Sequence, residues 1–216
     1  MSRSTVDDYC NTLKKAYQTI TELLITRGYS EESVSIYTAG NLLNYKCQKF
    51  ITEENSSYID IYVYEKNKTY VKFFSANYKI KMRDLINTYQ HLLDSMDMDI
   101  EDEIIFIFTS DEITLENKEI LIEFENMFSN IRTFNFKQLL YNITKHKLVP
   151  EHSLYKGTKK SLFEKLQITS DEQLPYILHQ DPICKFYNFK INEIIEIKRN
   201  PLVPGLKSYN TYRVVK

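Results

Sequence analysis

Two groups of side chains in this 216-residue chain have types and spacing that suggest chemistry. The first is "KHKLVPEH", residues 145–152, in which His146 and His152 flank Pro150. Zinc-binding histidines on a helix sit at i and i+4. Here they are six apart, and Pro150 excludes a helix between them. No third ligand is near in sequence, so no metal is expected. In an extended chain residues 146, 148, 150 and 152 share a face, which suits histidines that hydrogen-bond across a domain junction. The second group is Asp181 followed by Glu196 and Lys198. Metal-dependent nucleases use an Asp and then a Glu-x-Lys to hold Mg²⁺ between carboxylates while the Lys steadies the attacking water. A structural account competes with this one. Asp181 precedes Pro182 and reads as a helix cap with Pro at the first helical position. Glu196 and Lys198 equally read as the solvent face of a strand whose Ile195 and Ile197 point inward.

The rest of the chain narrows the chemistry further. Only four glycines are present, and no GxxxxGK[ST], GxGxxG or GxSxG occurs, so phosphate-cradling loops of those kinds are excluded. Cys10, Cys47 and Cys184 are odd in number and far apart, without CxxC spacing. That argues against a disulfide framework or zinc site and for a reducing compartment. Neither an N-terminal signal-like apolar stretch nor a run of about 18 apolar residues occurs, so a soluble chain is expected and no membrane partner. Trp is absent, Tyr (17) and Phe (12) are plentiful, and the excess of Lys, Asn, Ile and Tyr has the character of an A+T-rich coding bias.

Charge divides the chain. Residues 1–142 hold 15 basic and 22 acidic side chains, whereas residues 143–216 hold 13 and 7. An acidic half does not bind nucleic acid by net charge, because phosphate binding relies on Lys and Arg. The basic part suits nucleic acid or an acidic groove on a partner protein.

The elements that must position these residues follow from periodicity. Apolar residues from Val6 to Leu24 recur at three- and four-residue steps, an amphipathic helix with Gly28 as its stop. Residues 41–50 and 81–96 predict further helices, and residues 58–74 a hairpin turning on "EKNK". "EIIFIF" (103–108) reads as a buried strand. Residues 115–128 read as a helix behind a Thr114 cap, with residues 120, 121, 124, 127 and 128 apolar. A strand of uncertain bounds lies in 131–143. Strand, helix and strand over 103–143 predict an α/β layer. Beyond it come a short helix at 158–166 and strands at 192–200 and 208–216, paired as a hairpin through the turn residues of "PLVPGLK".

Several motifs then carry a resemblance: "NITKHKLVPEHSL" (142–154), "QLP" (173–175), "DPICKFYNFK" (181–190), "INEIIEIKR" (191–199) and "YNTYRVV" (209–215). In order and spacing they resemble the fifth common subunit of eukaryotic-type multisubunit RNA polymerases, whose archaeal counterpart corresponds only to the C-terminal domain. The likeness covers about the last 75 residues; the first 141 are similar in layout. It implies an α+β protein: residues 1–142 an α/β jaw domain, residues 143–216 a small mixed α+β assembly domain with a β-hairpin. It implies a non-catalytic subunit that docks on the largest polymerase subunit and contacts other polymerase subunits, without cofactor, metal, small-molecule substrate or catalytic residue. The motif positions His146, Pro150, His152, Gln173, Leu174, Pro175, Asp181, Pro182, Lys190, Arg199, Tyr212 and Arg213 are the implied subunit interface.

The family's two glycines near the end of this pattern are Asn188 and Asn192 here, and Asn is the non-glycine residue best able to hold positive φ. The family's Arg after Q-L-P is Tyr176, and its "VAR" is Ile183, Cys184 and Lys185. In the jaw, family members carry a T-P-S-A loop facing downstream DNA. The matching residues are Thr114, Leu115, Glu116 and Asn117, with Lys118 next, so at most weak or indirect proximity to the downstream duplex is implied. This drift fits a copy encoded by a large DNA virus, acting in a cytoplasmic factory and virion; a cellular copy belongs in the nucleus.

Overall fold

The computed structural model describes residues 3–38, 40–53, 56–65, 67–110, 112–200 and 207–216. The chain forms two compact units, Met1–Tyr141 and Asn142–Lys216. The architecture is mixed α+β, with a four-stranded sheet in each unit.

In the first unit, α1 (Arg3–Thr26) buries Leu13, Ala16, Tyr17, Ile20, Leu23 and Leu24 along one stripe. It ends at Gly28, whose φ of 104° is open to glycine. The Gly28 N–H bonds the Ile25 carbonyl (3.0 Å) and the Tyr29 N–H bonds that of Leu24 (3.2 Å), which satisfies the helix's last acceptors. Two further helices, α2 (Glu31–Ser35) and α3 (Gly40–Glu53), lead into a hairpin of β1 (Ile61–Tyr64) and β2 (Lys68–Phe74). Lys66, in the predicted turn, lies outside the described residues. The chain continues as α4 (Met82–Ser95), β3 (Glu103–Phe108), α5 (Leu115–Met127) and β4 (Ile131–Asn135). Because α4 and α5 carry the chain back along the sheet, β2, β3 and β4 run parallel, in the order β1-β2-β3-β4.

Strand β3 is buried on both faces, which is why "EIIFIF" reads as an unbroken apolar run. One face packs Phe74, Phe106 and Phe108 against Leu85 and Leu92 of α4 and Leu121 and Phe124 of α5. On the other, Phe73 stacks on Tyr17 of α1 with ring centroids 5.6 Å apart. The apolar positions expected for α5 are partly corrected: Met127 is 53% exposed, while Glu125 is buried. The Glu125 carboxylate accepts the backbone N–H (2.6 Å) and hydroxyl (2.7 Å) of Thr133, and this pairing draws an acidic side chain inward. At the opposite edge of the sheet, the Tyr37 hydroxyl donates to the Tyr62 carbonyl and accepts the Tyr62 N–H.

The second unit begins with Asn142, whose side chain accepts the Thr144 N–H (2.9 Å) and starts a 3-10 turn over Ile143–Lys145. Then follow β5 (Glu151–Leu154), α6 (Lys159–Leu166), β6 (Tyr176–Ile177), α7 (Pro182–Tyr187), β7 (Ile194–Arg199) and β8 (Tyr209–Val215). The order is β5-β7-β8-β6. The hairpin of β7 and β8 is present in the register Ile194↔Val214 to Arg199↔Tyr209; of its predicted link at 201–207, residues 201–206 lie outside the described residues. Strands β5 and β6 are additions that the sequence pattern does not foresee.

A helix covers each face of this sheet. Ile195, Ile197, Ile177 and Val215 pack with Ile183 and Cys184 of α7, and Ile194, Tyr212 and Val214 pack with Leu162 of α6. Helix α7 starts as expected: Asp181 Oδ1 accepts the Ile183 N–H at 2.8 Å, with Pro182 at the first position. It ends on Asn188 (φ 56°), and Asn192 (φ 69°) is left-handed as well, so asparagine supports both turns.

Candidate functional site

Alternation along the strands sets what lies on the α7 face. His152, Ile197 and Thr211 form one row across β5, β7 and β8. Arg199 stands two residues to one side of that row and Arg213 two residues to the other, a span of roughly 13 Å of strand. Between them opens a cleft of about 220 Å³. Its walls are Val149, Pro150, Ile177, Ile183 and Ile197, with Leu148, 74% exposed, at the border. The charged and titratable side chains that line it are His152, Asp181, Arg199 and Arg213.

The electrostatics of this cleft are lopsided. Asp181 is engaged in capping α7. Arg199 donates from Nε to Thr211 Oγ1 (3.3 Å), and Arg213 donates from Nη1 to the Tyr176 carbonyl (3.2 Å). Among the described residues neither guanidinium has a carboxylate within ion-pair distance. His152 is buried, and its Nδ1 donates to the Pro150 carbonyl at 2.7 Å. Burial lowers the His152 pKa below the usual imidazole value. The bond to Pro150 and the Asp181 charge push it back up, and Arg199 and Arg213 push it further down. A neutral imidazole between two guanidinium groups that have no carboxylate partner among the described residues leaves a surface suited to a carboxylate.

Of the residues singled out in sequence, Pro150, His152, Asp181, Arg199 and Arg213 converge here. The others lie elsewhere. His146 does not share a face with His152, because the chain turns at 146–149 through a Val149 N–H to His146 carbonyl bond (2.9 Å). His146 is exposed, and its Nδ1 accepts the Leu148 N–H (3.3 Å). Gln173 accepts the Thr169 N–H (2.7 Å), Leu174 is buried in the α6-side core, and the Pro175 carbonyl accepts the Val214 N–H (3.0 Å). Pro182 is exposed at the start of α7, and Lys190 Nζ donates to Asn188 Oδ1 (3.0 Å). Tyr212 is on the α6 face, where its hydroxyl donates to Glu196 Oε1 (3.0 Å) beneath the Lys165 ammonium, 5.4 Å from the ring.

The nuclease arrangement is overturned by the same alternation. Asp181 lines the α7-side cleft, whereas Glu196 and Lys198 project from the α6 face, so the sheet separates them. Glu196 Oε1 is held by Tyr212 and by Asn210 Nδ2 (2.8 Å). Among the described residues no group of three His, Cys, Asp or Glu is placed to hold a metal. Sequence reasoning missed the apolar walls Val149, Ile177 and Ile183. The signal that placed Arg199 on the inward face was present: it is in phase with Ile195 and Ile197.

The first unit has a second candidate at the start of α5. Thr114 Oγ1 accepts the Asn117 N–H (3.3 Å), and the Lys118 N–H bonds the Thr114 carbonyl (3.0 Å). Glu116 and Asn117 line an open cleft of about 630 Å³ together with Lys79, Lys81 and Glu112. Two lysines and two glutamates offset each other there. Lys118 does not line it.

The second unit is thus a helix–sheet–helix domain whose distinctive surface is an arginine-flanked apolar groove. Residues 141–215 match the family described as RNA polymerase Rpb5, C-terminal domain. The chain is 49% identical over 76 residues to DNA-directed RNA polymerase subunit Rpo5 of Pyrococcus horikoshii, covering 35% of this chain and 89% of that protein. Over 206 residues it is 27% identical to subunit rpabc1 of DNA-directed RNA polymerases I, II and III of Dictyostelium discoideum, covering 94% of this chain and 97% of that one. With DNA-directed RNA polymerase subunit 5-like protein 1 of Arabidopsis thaliana it shares 25% identity over 224 residues, 97% of this chain and 98% of that one. The chain belongs to the Rpb5 family.

Proposed function

We propose that this chain is a structural subunit of a multisubunit DNA-directed RNA polymerase, with nucleotidyl transfer occurring on other subunits. The observation that carries this reading is where the likeness concentrates. The match to the Rpb5 C-terminal domain falls on residues 141–215, the part of the chain that holds the arginine-flanked cleft. In this reading residues 143–216 are an assembly domain that docks on the largest subunit. Of the motif residues, Pro150, His152, Asp181, Arg199 and Arg213 face the docked partner. Gln173, Leu174, Lys190 and Tyr212 support the fold beneath it.

Residues 1–142 are a jaw beside downstream DNA. The acidic balance of that half, and the Glu112 and Glu116 carboxylates beside Lys79 and Lys81, limit any approach to the duplex to one or two sugar-phosphate contacts. The compartment follows that of the transcription it serves: a viral factory in the cytoplasm for a virus-encoded copy, the nucleus for a cellular one. The test is affinity purification of the tagged full chain from its native cell or virion. Polymerase subunits are expected to co-purify in stoichiometric amount, with no Mg²⁺-dependent cleavage of DNA by the isolated chain. A chain recovered free of polymerase subunits, or one that cuts DNA, overturns the reading.

A further inference from the structure

The α7-side cleft combines three properties that together specify an occupant. Its floor and walls are aliphatic: Val149, Pro150, Ile177 and Ile197. Two arginines flank it on opposite sides of the His152–Ile197–Thr211 row, each with one hydrogen bond to a neutral oxygen and neither with a carboxylate partner among the described residues. Leu148 stands largely exposed at its border. A guanidinium that carries five donors and spends one on a neutral acceptor retains its bidentate face for a carboxylate. Asp181, the acidic side chain lining the cleft, is turned to the first turn of α7.

We propose that this cleft captures an extended, acidic–aliphatic segment of the polymerase subunit on which the chain docks. An aliphatic side chain enters between Val149, Ile177 and Ile197, and acidic residues on either side of it meet Arg199 and Arg213. The inference rests on the reading of the chain as a polymerase subunit and adds the chemistry of the segment. The span between the two arginine rows matches about four residues of extended chain, so the acidic residues flank the aliphatic anchor rather than neighbouring each other. Nucleic acid fits less well, because a sugar-phosphate backbone has no aliphatic side chain to fill the apolar floor.

The test uses the full-length chain co-expressed with the largest subunit. It is run as wild type and as Arg199→Glu, Arg213→Glu, Leu148→Asp and, on the opposite face of the sheet, Lys198→Glu. Thermal melts check that each variant is folded, and Arg199→Ala and Arg213→Ala replace any charge reversal that is not. Each arginine reversal is expected to weaken capture about tenfold or more, as for a hot-spot arginine, Leu148→Asp several-fold, and Lys198→Glu not at all. A photo-crosslinker introduced at Leu148 is expected to label a segment with acidic residues flanking an aliphatic one. Arginine variants that bind as wild type sink the cleft while the polymerase reading stands. A labelled segment without acidic residues sinks the proposed chemistry. A wild-type chain that captures no polymerase subunit sinks the reading on which both depend.

Discussion

Two clefts among the described residues, one in each unit, use similar kinds of side chain to opposite effect. Beside the start of α5, Lys79 and Lys81 share an open cleft with Glu112 and Glu116, and the charges offset each other. On the α7 face of the second sheet, two arginines flank an aliphatic floor, and the acidic side chain present is engaged in capping a helix. A helix start with a threonine cap and an adjacent lysine is a weak attractor when carboxylates stand beside it, because the macrodipole contributes only a fraction of a charge. A pair of guanidinium groups with no carboxylate partner among the described residues is strong, because donors remain in place for a planar acceptor. The number of basic residues matters less than whether their charge has been used up locally.

The largest expected effect asks whether the two units are energetically separate. Phe106→Ala empties a site in the first unit's aromatic core, next to Phe74 and Phe124, and is expected to cost about 3–5 kcal/mol. Calorimetry should show one transition falling and a second, belonging to residues 142–216, unmoved. A single transition that falls as a whole would merge the units being compared. Next, Asp181→Ala should remove about 0.5–2 kcal/mol through loss of the α7 cap. Asp181→Asn should retain most of it, and Mg²⁺ should leave the melting temperature of every form unchanged.

A smaller effect is tied to pH. His152 has a folded-state pKa below its unfolded value, so in acid the unfolded chain binds a proton that the folded one rejects. This contribution is present above the unfolded pKa and lost as pH falls through the folded one. Urea melts between about pH 7.5 and about pH 5 should therefore show the second unit weakening, and His152→Asn should flatten that slope. The smallest effect concerns the offset cleft. Glu116→Lys tips its balance to basic, so downstream DNA retention in the assembled polymerase should rise slightly, and the gain should shrink as salt rises. No gain at any salt concentration means that this end of α5 stands away from the duplex.

Much of the positioning framework was legible because it rests on local rules. Gly28 stops α1, Thr114 starts α5, and Asp181 with Pro182 starts α7, each through backbone groups that a helix end leaves unpaired. The cleft was legible only in part. His152, Arg199 and Arg213 lie far apart in sequence, and strand register alone brings them together. Strands β5 and β6 are four and two residues long, too short to show a period, and they exist because β7 and β8 offer edges for pairing. The mistaken grouping of Asp181 with Glu196 and Lys198 has the same origin. Period 2 shows that Glu196 and Lys198 share a face, but not which face looks toward α7. Glu125 escaped notice because the Thr133 N–H and hydroxyl that hold it lie on β4, and the packing of α5 on that strand rather than local spacing brings them to it.

The hydroxyl of Tyr37 and the carboxylate of Glu125 sit at the two outer strands of the first sheet, β1 and β4. Each occupies main-chain groups that would otherwise point outward and invite another chain to continue the sheet. On each outer strand one residue is thereby withheld from pairing with a second copy of the chain, which lowers the tendency of this strand-rich, aromatic unit to associate with itself. Tyr37→Phe or Glu125→Ala would then show itself first as turbidity on storage or after synthesis in excess, before any loss of fold.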